Sequence, residues 1–361
     1  MSAAVDLPEV AVVEARKGLR VGPFSWPLRW RPLVLVVVGL ALLALVMAVN
    51  IGRGDFPLTI GQVFDVLLGG GQTSHRFIVL DLRLPRSLTA VFVGAALALA
   101  GAIFQSIARN PLASPDILGV TWGASVGAVS VITFAGALTG PVADIGIPVA
   151  ALGGGLFFGL LVYALAWRKG IEGFRMVLVG VGVAAIAGNI TQYLLTAGDV
   201  NDAARAMVWI TGSLNGRGWE HVVPVGVALA VLMPVAFVCA HVLGALQFGD
   251  DTARGLGVRL NPARSALLLV GIGLASVATA AAGPIAFVAL AAPQIASRVA
   301  ATATPPLLGS SVVGALLVVA SDLISRTAFG GFEMPVGVIT AVLGAPYLMY
   351  LLIRGRREAR V

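Results

Sequence analysis

Residues 33–49 read LVLVVVGLALLALVMAV, seventeen positions without one charged or hydrogen-bonding side chain. A helix crosses the hydrocarbon of a bilayer with about 20 apolar residues, within a usable range of about 17–25. Nothing in this run marks a polar face, so it predicts a lipid-spanning helix rather than an amphipathic one. The rest of the 361-residue chain reads the same way: 58% of residues are hydrophobic, mean hydropathy is +0.96, and charged residues make up 11%. Ordinary soluble domains carry roughly 25% charged residues, so lipid is the solvent that fits. The stretch before residue 33 is polar and basic, without the small-residue cleavage site of a signal peptide.

Working outward, further apolar runs lie near 87–107, 117–137, 146–166, 175–197, 221–243, 264–282, 284–300, 307–325 and 335–353. With 33–51 they give about ten spans and an all-α polytopic fold. Gly283-Pro284 is the only punctuation between the seventh and eighth. Residues 1–32 form an N-terminal cytoplasmic segment, 33–353 the membrane domain, and 354–361 a basic cytoplasmic tail.

The net charge of +7 is nearly all arginine, since Lys17 and Lys169 are the only lysines. With both ends placed in the cytoplasm, the inside segments hold fourteen of the basic residues and the outside segments seven: Arg53, Arg76, Arg83, Arg86, Arg205, Arg217 and Arg326. That bias fits an even number of spans. The arginines sit in short connections, which reads as topology and contact with lipid headgroups rather than a nucleic-acid surface. Small residues inside the runs predict close helix approach. They are Gly94, Ala98 and Gly101 on one helix, Gly155 and Gly159 on another, and Gly271 and Ala275 on a third.

The missing chemistry narrows the function. No GxxxxGK[ST] phosphate loop is present, and His75, His221 and His241 lack the spacing of a metal site. Cys239 is a lone cysteine. The apolar runs are nearly free of the ionisable groups that proton-coupled carriers place inside the membrane. No catalytic residue and no metal ligand is expected, and the chain needs an external source of energy.

A set of markers then runs in order along the chain: Arg83-Leu84-Pro85-Arg86 with Val93–Gly101 and Gln105; Arg109-Asn110-Pro111-Leu112-Ala113-Ser114-Pro115-Asp116 through Gly119; Gly249–Gly257; Ala282-Gly283-Pro284-Ile285-Ala286-Phe287; and Pro335–Thr340 with Gly344-Ala345-Pro346. Together they resemble the FecCD, or vitamin B12-type, family of ABC-importer permeases. Trp167–Arg175 and Gly212-Ser213-Leu214-Asn215-Gly216 resemble its ferric-enterobactin (ferric-siderophore) type. The resemblance implies a type II ABC importer permease fold in a bacterial cytoplasmic (inner) membrane. It also implies an ATPase subunit carrying ATP and Mg, a second permease chain in a heterodimer, a substrate-binding protein and a ferric-siderophore cargo. Vitamin B12 and haem are the alternative cargoes. One departure is Pro293-Gln294, where the family usually has Pro-His, so any role tied to titration of that histidine is lost.

Roles follow residue by residue. Gly249, Asp250, Asp251, Thr252, Ala253, Arg254, Leu256 and Gly257 match the loop that docks on the ATPase. Either Asp can cap a short helix, Gly257 suits a C-terminal turn, and Ala253 and Leu256 would be presented to the partner. The bland alternative is an amphipathic loop helix. Arg83, Arg86 and Arg326 match arginines that face glutamates of the binding protein. They could instead snorkel to headgroups, and Arg326 could be held by Asp322 four residues earlier. Asn189, Gln192 and Thr196, with Thr191, lie on the helix that borders the translocation pathway in the family. Asparagine and glutamine also serve as interhelical glue, the preferred reading for Gln105. Asn110 and Pro111 shape a turn. The rival functions are a gradient-driven carrier, an intramembrane enzyme and a structural scaffold.

Overall fold

The computed structural model describes residues 18–21, 24–27, 30–54, 56–134, 141–168, 170–246, 250–255, 260–330 and 332–358. A short antiparallel hairpin of β1 (Gly18–Val21) and β2 (Phe24–Pro27) comes first, with Gly18 opposite Pro27. The helices are α1 (Trp30–Gly52), α2 (Ile60–Leu67), α3 (Thr73–Arg76), α4 (Leu84–Ala108), α5 (Val120–Phe134), α6 (Pro141–Ala166), α7 (Gly173–Ala197) and α8 (Val200–Ile210). They continue with α9 (Trp219–Val238), α10 (Ala240–Ala245), α11 (Asp250–Gly255), α12 (Leu260–Ala282), α13 (Val288–Ala300), α14 (Leu307–Thr327) and α15 (Val336–Glu358). Each of the ten expected spans has its helix: α1, α4, α5, α6, α7, α9, α12, α13, α14 and α15.

Among the described residues, seven helical runs are long and apolar enough to cross a membrane, and α5 and part of α15 are shorter apolar helices. The 13 residues of α13 rise only about 20 Å at 1.5 Å each, short of a hydrocarbon core of about 30 Å. The non-helical stretch 283–287 precedes α13. It is tolerated because it is packed inside protein, where backbone groups find partners: the Ser213 amide donates to the Ala282 carbonyl at 2.8 Å and the Gly283 amide to Thr279 at 2.8 Å.

Helix α4 runs through the middle of the bundle, with Ala98, Leu99, Ala100, Ile103 and Phe104 fully buried. Glycines set its neighbours. A Cβ on Gly94 would strike the backbone of Gly314 in α14, and one on Gly101 the backbone of Ala289 in α13. Gly271 of α12 faces the Phe104 ring, Gly155 of α6 faces Ser276, and Gly159 packs on Ile272. The expected small-residue faces are therefore the contact faces, and van der Waals packing joins helices that no hydrophobic effect drives together in lipid. Helix α1 lies at the rim and leaves Leu33, Val37, Val38 and Leu45 exposed, as a lipid-facing helix should.

Proline decides two local features. Pro85 lies just ahead of the apolar run expected near 87–107, yet helix runs unbroken from Thr73 to Ala108. The stretch Phe77–Arg83 is wound as a π-helix, and the Leu84 amide reaches the Val79 carbonyl five residues back. Such a widened turn accommodates a proline ring that would clash in a regular helix. In α13, Pro293 has no N–H for the Ala289 carbonyl. Gln105 Nε2 supplies the missing donor, reaching Ala289 O at 3.3 Å and Leu290 O at 3.1 Å, and Gln294 Nε2 donates to Gln105 Oε1 at 2.6 Å. The glue reading of Gln105 holds, and Gln294 joins it.

Candidate functional site

The bundle has two chemically distinct ends. At one lie residues 50–54, 56–87, 211–221, 322–330 and 332–337, among the segments that the charge bias places outside. A depression of about 460 Å³ there is lined by Arg83, Arg86, Arg217 and Arg326, with Asp81 and Glu220 as its acidic members. Arg83 and Arg86 precede the apolar run expected near 87–107, but α4 continues upstream through the π stretch. They lie within a helix, and both are largely buried.

Arg83 donates to the carbonyls of Ile51 at 2.8 Å and Phe56 at 2.7 Å. Arg86 donates through Nε and Nη2 to Asp322 Oδ1 at 3.0 and 2.9 Å, and through Nη1 to Glu333 at 3.1 Å. Asp322 is fully buried, and its second oxygen accepts from Asn50 Nδ2 at 2.9 Å. Asn50 also donates to Ser87 Oγ at 3.2 Å. Arg326 donates to the carbonyls of Asn50 at 3.3 Å and Arg53 at 2.7 Å, and its Nε lies 3.7 Å from Glu333. The i, i+4 pairing of Arg326 with Asp322 thus gives way to an interhelical one, in which Arg86 of α4 sets two charge-assisted donors on one oxygen of the buried carboxylate. Beside this network, Arg217 meets His221 Nε2 at 2.9 Å and His221 Nδ1 meets Glu220 at 3.0 Å.

Three of the sequence markers converge at this end. The Gly337 amide donates to Gly212 O at 3.1 Å, and a Cβ on Gly212 would strike the carbonyl of Pro284. Gly212 and Gly283 both hold positive φ, a conformation open to glycine and costly to other residues. These motifs fix backbone crossings and need no substrate contact to explain them.

At the opposite end lie residues 108–119, 167–168, 170–174, 250–255, 260–264 and 300–306. Asn110 Oδ1 accepts from the Leu112 amide at 2.9 Å, the turn expected of it. Burial pushes the Asp116 carboxyl above the usual carboxylate range, partly offset by a hydrogen bond to Thr121. Arg264 ties α12 to the Ile171 carbonyl at 3.1 Å. The short helix α11 carries the coupling candidates. Thr252 and Arg254 are exposed, but Ala253 is fully buried. Ala253 anchors the helix to the bundle instead of presenting itself, because so short a helix must keep one face on the protein. Gly249, Leu256 and Gly257 lie outside the described residues, as do the side chains of Asp250 and Asp251.

The pathway candidates lie on α7. Asn189, Gln192 and Thr196 are exposed on one stripe of the helix, among Leu178, Ile186 and Tyr193, while Thr191 turns inward. Asn189 Nδ2 donates to its own helix at Ala185 O, 2.7 Å away, and Thr196 to Tyr193 O at 2.8 Å. Among the described residues, neither bonds another helix. Sequence reasoning did not single out Asn50, Glu333 or Arg217. Asn50 could have been found as the one amide closing an otherwise apolar run.

A ten-helix bundle with a basic depression at one end and a short docked helix at the other has the fold of an ABC-importer permease. A solved ABC transporter of the metal-chelate type, in an inward-facing conformation, matches it with a TM-score of 0.78 at 24% identity, over 89% of this chain and 99% of that one. The chain belongs to the FecCD transport family, whose model matches residues 40–354. Among its relatives, the ferric enterobactin transport system permease protein FepG of Escherichia coli (strain K12) is 40% identical over 84% of this chain and 91% of its own length. The achromobactin transport system permease protein CbrC of Dickeya dadantii (strain 3937) is 39% identical over 93% and 96%.

Proposed function

We propose that this chain is the membrane-spanning subunit of an ABC importer for ferric siderophores, in a bacterial inner membrane with both termini cytoplasmic. The observation that carries the reading is the near full-length similarity to permeases named for ferric enterobactin and achromobactin transport. ATP and Mg act on a separate ATPase subunit, which docks at the end bearing α11. A binding protein delivers cargo to the arginine-lined end. The exposed stripe of Asn189, Gln192 and Thr196 supports a second, related permease subunit on α7, since such groups are costly against lipid and face protein or a water-filled path.

The test is uptake of a ferric siderophore into proteoliposomes. Transport should require the ATPase, the second permease and loaded binding protein together, and uptake by this chain alone under an ion gradient would refute the reading. Leu256→Asp should leave the assembled complex hydrolysing ATP while uptake falls about tenfold or more, as expected when roughly 1.4 kcal/mol or more of coupling is lost. Normal uptake by this variant would remove the docking loop from the mechanism.

A further inference from the structure

From the geometry around Glu333 we infer that this residue is a tethered stand-in for a partner's carboxylate, occupying the arginine pair until the binding protein displaces it. The inference rests on the proposed docking role of the arginine-lined end.

Two carboxylates meet Arg86, and they differ in kind. Asp322 is fully buried, accepts both Nε and Nη2 on its Oδ1 and is held at Oδ2 by Asn50. That pair is fixed, because separating it would strand a charge inside the protein. Glu333 takes the remaining Nη1 at 3.1 Å, and its side chain is 41% exposed. It lies in the connection between α14 and α15, outside any helix. Its other oxygen stands 3.7 Å from Arg326 Nε, so a single carboxylate bridges the two arginines at the edge of the depression.

Water reaches the Glu333 carboxylate, so this bridge holds less firmly than the buried pair with Asp322. It can therefore exchange with an incoming carboxylate of equal chemistry. Asp322 sets the orientation of the guanidinium, and Glu333 covers the group that remains. The residue thus acts on partner selection: a ligand surface with one isolated acid gains little by replacing Glu333, whereas one with several acids also meets Arg217 and Arg83 around the same depression. Electrostatic contacts of this type govern encounter rate more than final affinity.

The test compares wild type with Glu333→Gln, which keeps size and hydrogen bonding and removes the charge. The complete permease–ATPase complex is held in nanodiscs, and its association rate with the binding protein of the same import system, loaded with ferric siderophore, is measured at low and high ionic strength. The expected result is wild-type capture that slows with salt, and E333Q capture several-fold faster at low salt with the gap closing at high salt. Salt-sensitive wild-type capture with an unchanged or slower E333Q overturns the stand-in role and leaves the docking reading intact. Capture by wild type that ignores salt overturns the docking reading and this inference with it.

Discussion

Pro293 removes one amide hydrogen from the middle of α13, and three residues absorb the consequence. The Ala289 carbonyl turns to Gln105, and Gln294 caps Gln105 in turn. Replacing Gln105 by Leu would leave that carbonyl buried without a donor, at a cost of about 1–3 kcal/mol. Reversible unfolding of the detergent-solubilised chain should show the loss, and Gln294→Leu should cost less because the carbonyl keeps its donor. Equal destabilisation by the two would mean that the Gln105–Gln294 bond, not the orphaned carbonyl, matters. Gln105 was legible in the sequence as a polar residue in an apolar run. Its partner was not, because the two lie 184 positions apart and local spacing carries no information about such pairs. The same limit explains Arg326: spacing proposed Asp322, while the carboxylate went to Arg86 from 236 positions away.

At the scale of the helix, hydropathy made the ten bundle elements readable, because lipid imposes length and composition together. It was blind to winding. The π stretch before Pro85 carries the helix on upstream of the apolar run, and Arg83 and Arg86 lie within that helix, largely buried. The helix seams, by contrast, were visible as glycine and alanine spacing, and they yield a graded test. Gly101→Leu places a side chain against the Ala289 backbone, which cannot rotate away, so it should exceed the roughly 1–3 kcal/mol typical of overpacking and deplete folded protein. Gly153→Ala meets nothing within 4 Å and should remain at wild-type yield on fluorescence-detected size exclusion. A Gly101→Leu chain that folds as well as Gly153→Ala would mean that α4 and α13 do not pack at this crossing. Small helices outside the bundle went unread although their caps were present: Thr59 and Gln62 form a capping box ahead of α2, and Asp199 caps α8.

For the molecule as a whole, the arginine bias predicted which segments share a side, and the packing groups them the same way. Residues 50–54, 56–87, 211–221, 322–330 and 332–337 meet at one end, and 108–119, 167–168, 170–174, 250–255 and 260–264 at the other. Packing fixes that grouping but not which end faces the cytoplasm; the sign comes from the excess of arginine on the α11 side. The chain is well suited to a direct measurement, because Cys239 is its single cysteine and is half-buried. In a Cys239→Ser background, cysteines at Thr252 and Asn215, both exposed, report on the two ends. A membrane-impermeant maleimide applied to intact spheroplasts should label Asn215→Cys at once and reach Thr252→Cys only after permeabilisation. The reverse order would put α11 on the outer face, out of reach of any cytoplasmic ATPase, and would turn the basic depression inward. Labelling of both sites from outside would mean that the chain between them crosses the membrane an even number of times. With α9 then the only bundle helix between the two sites, that result would remove α9 as a span and leave an odd number overall.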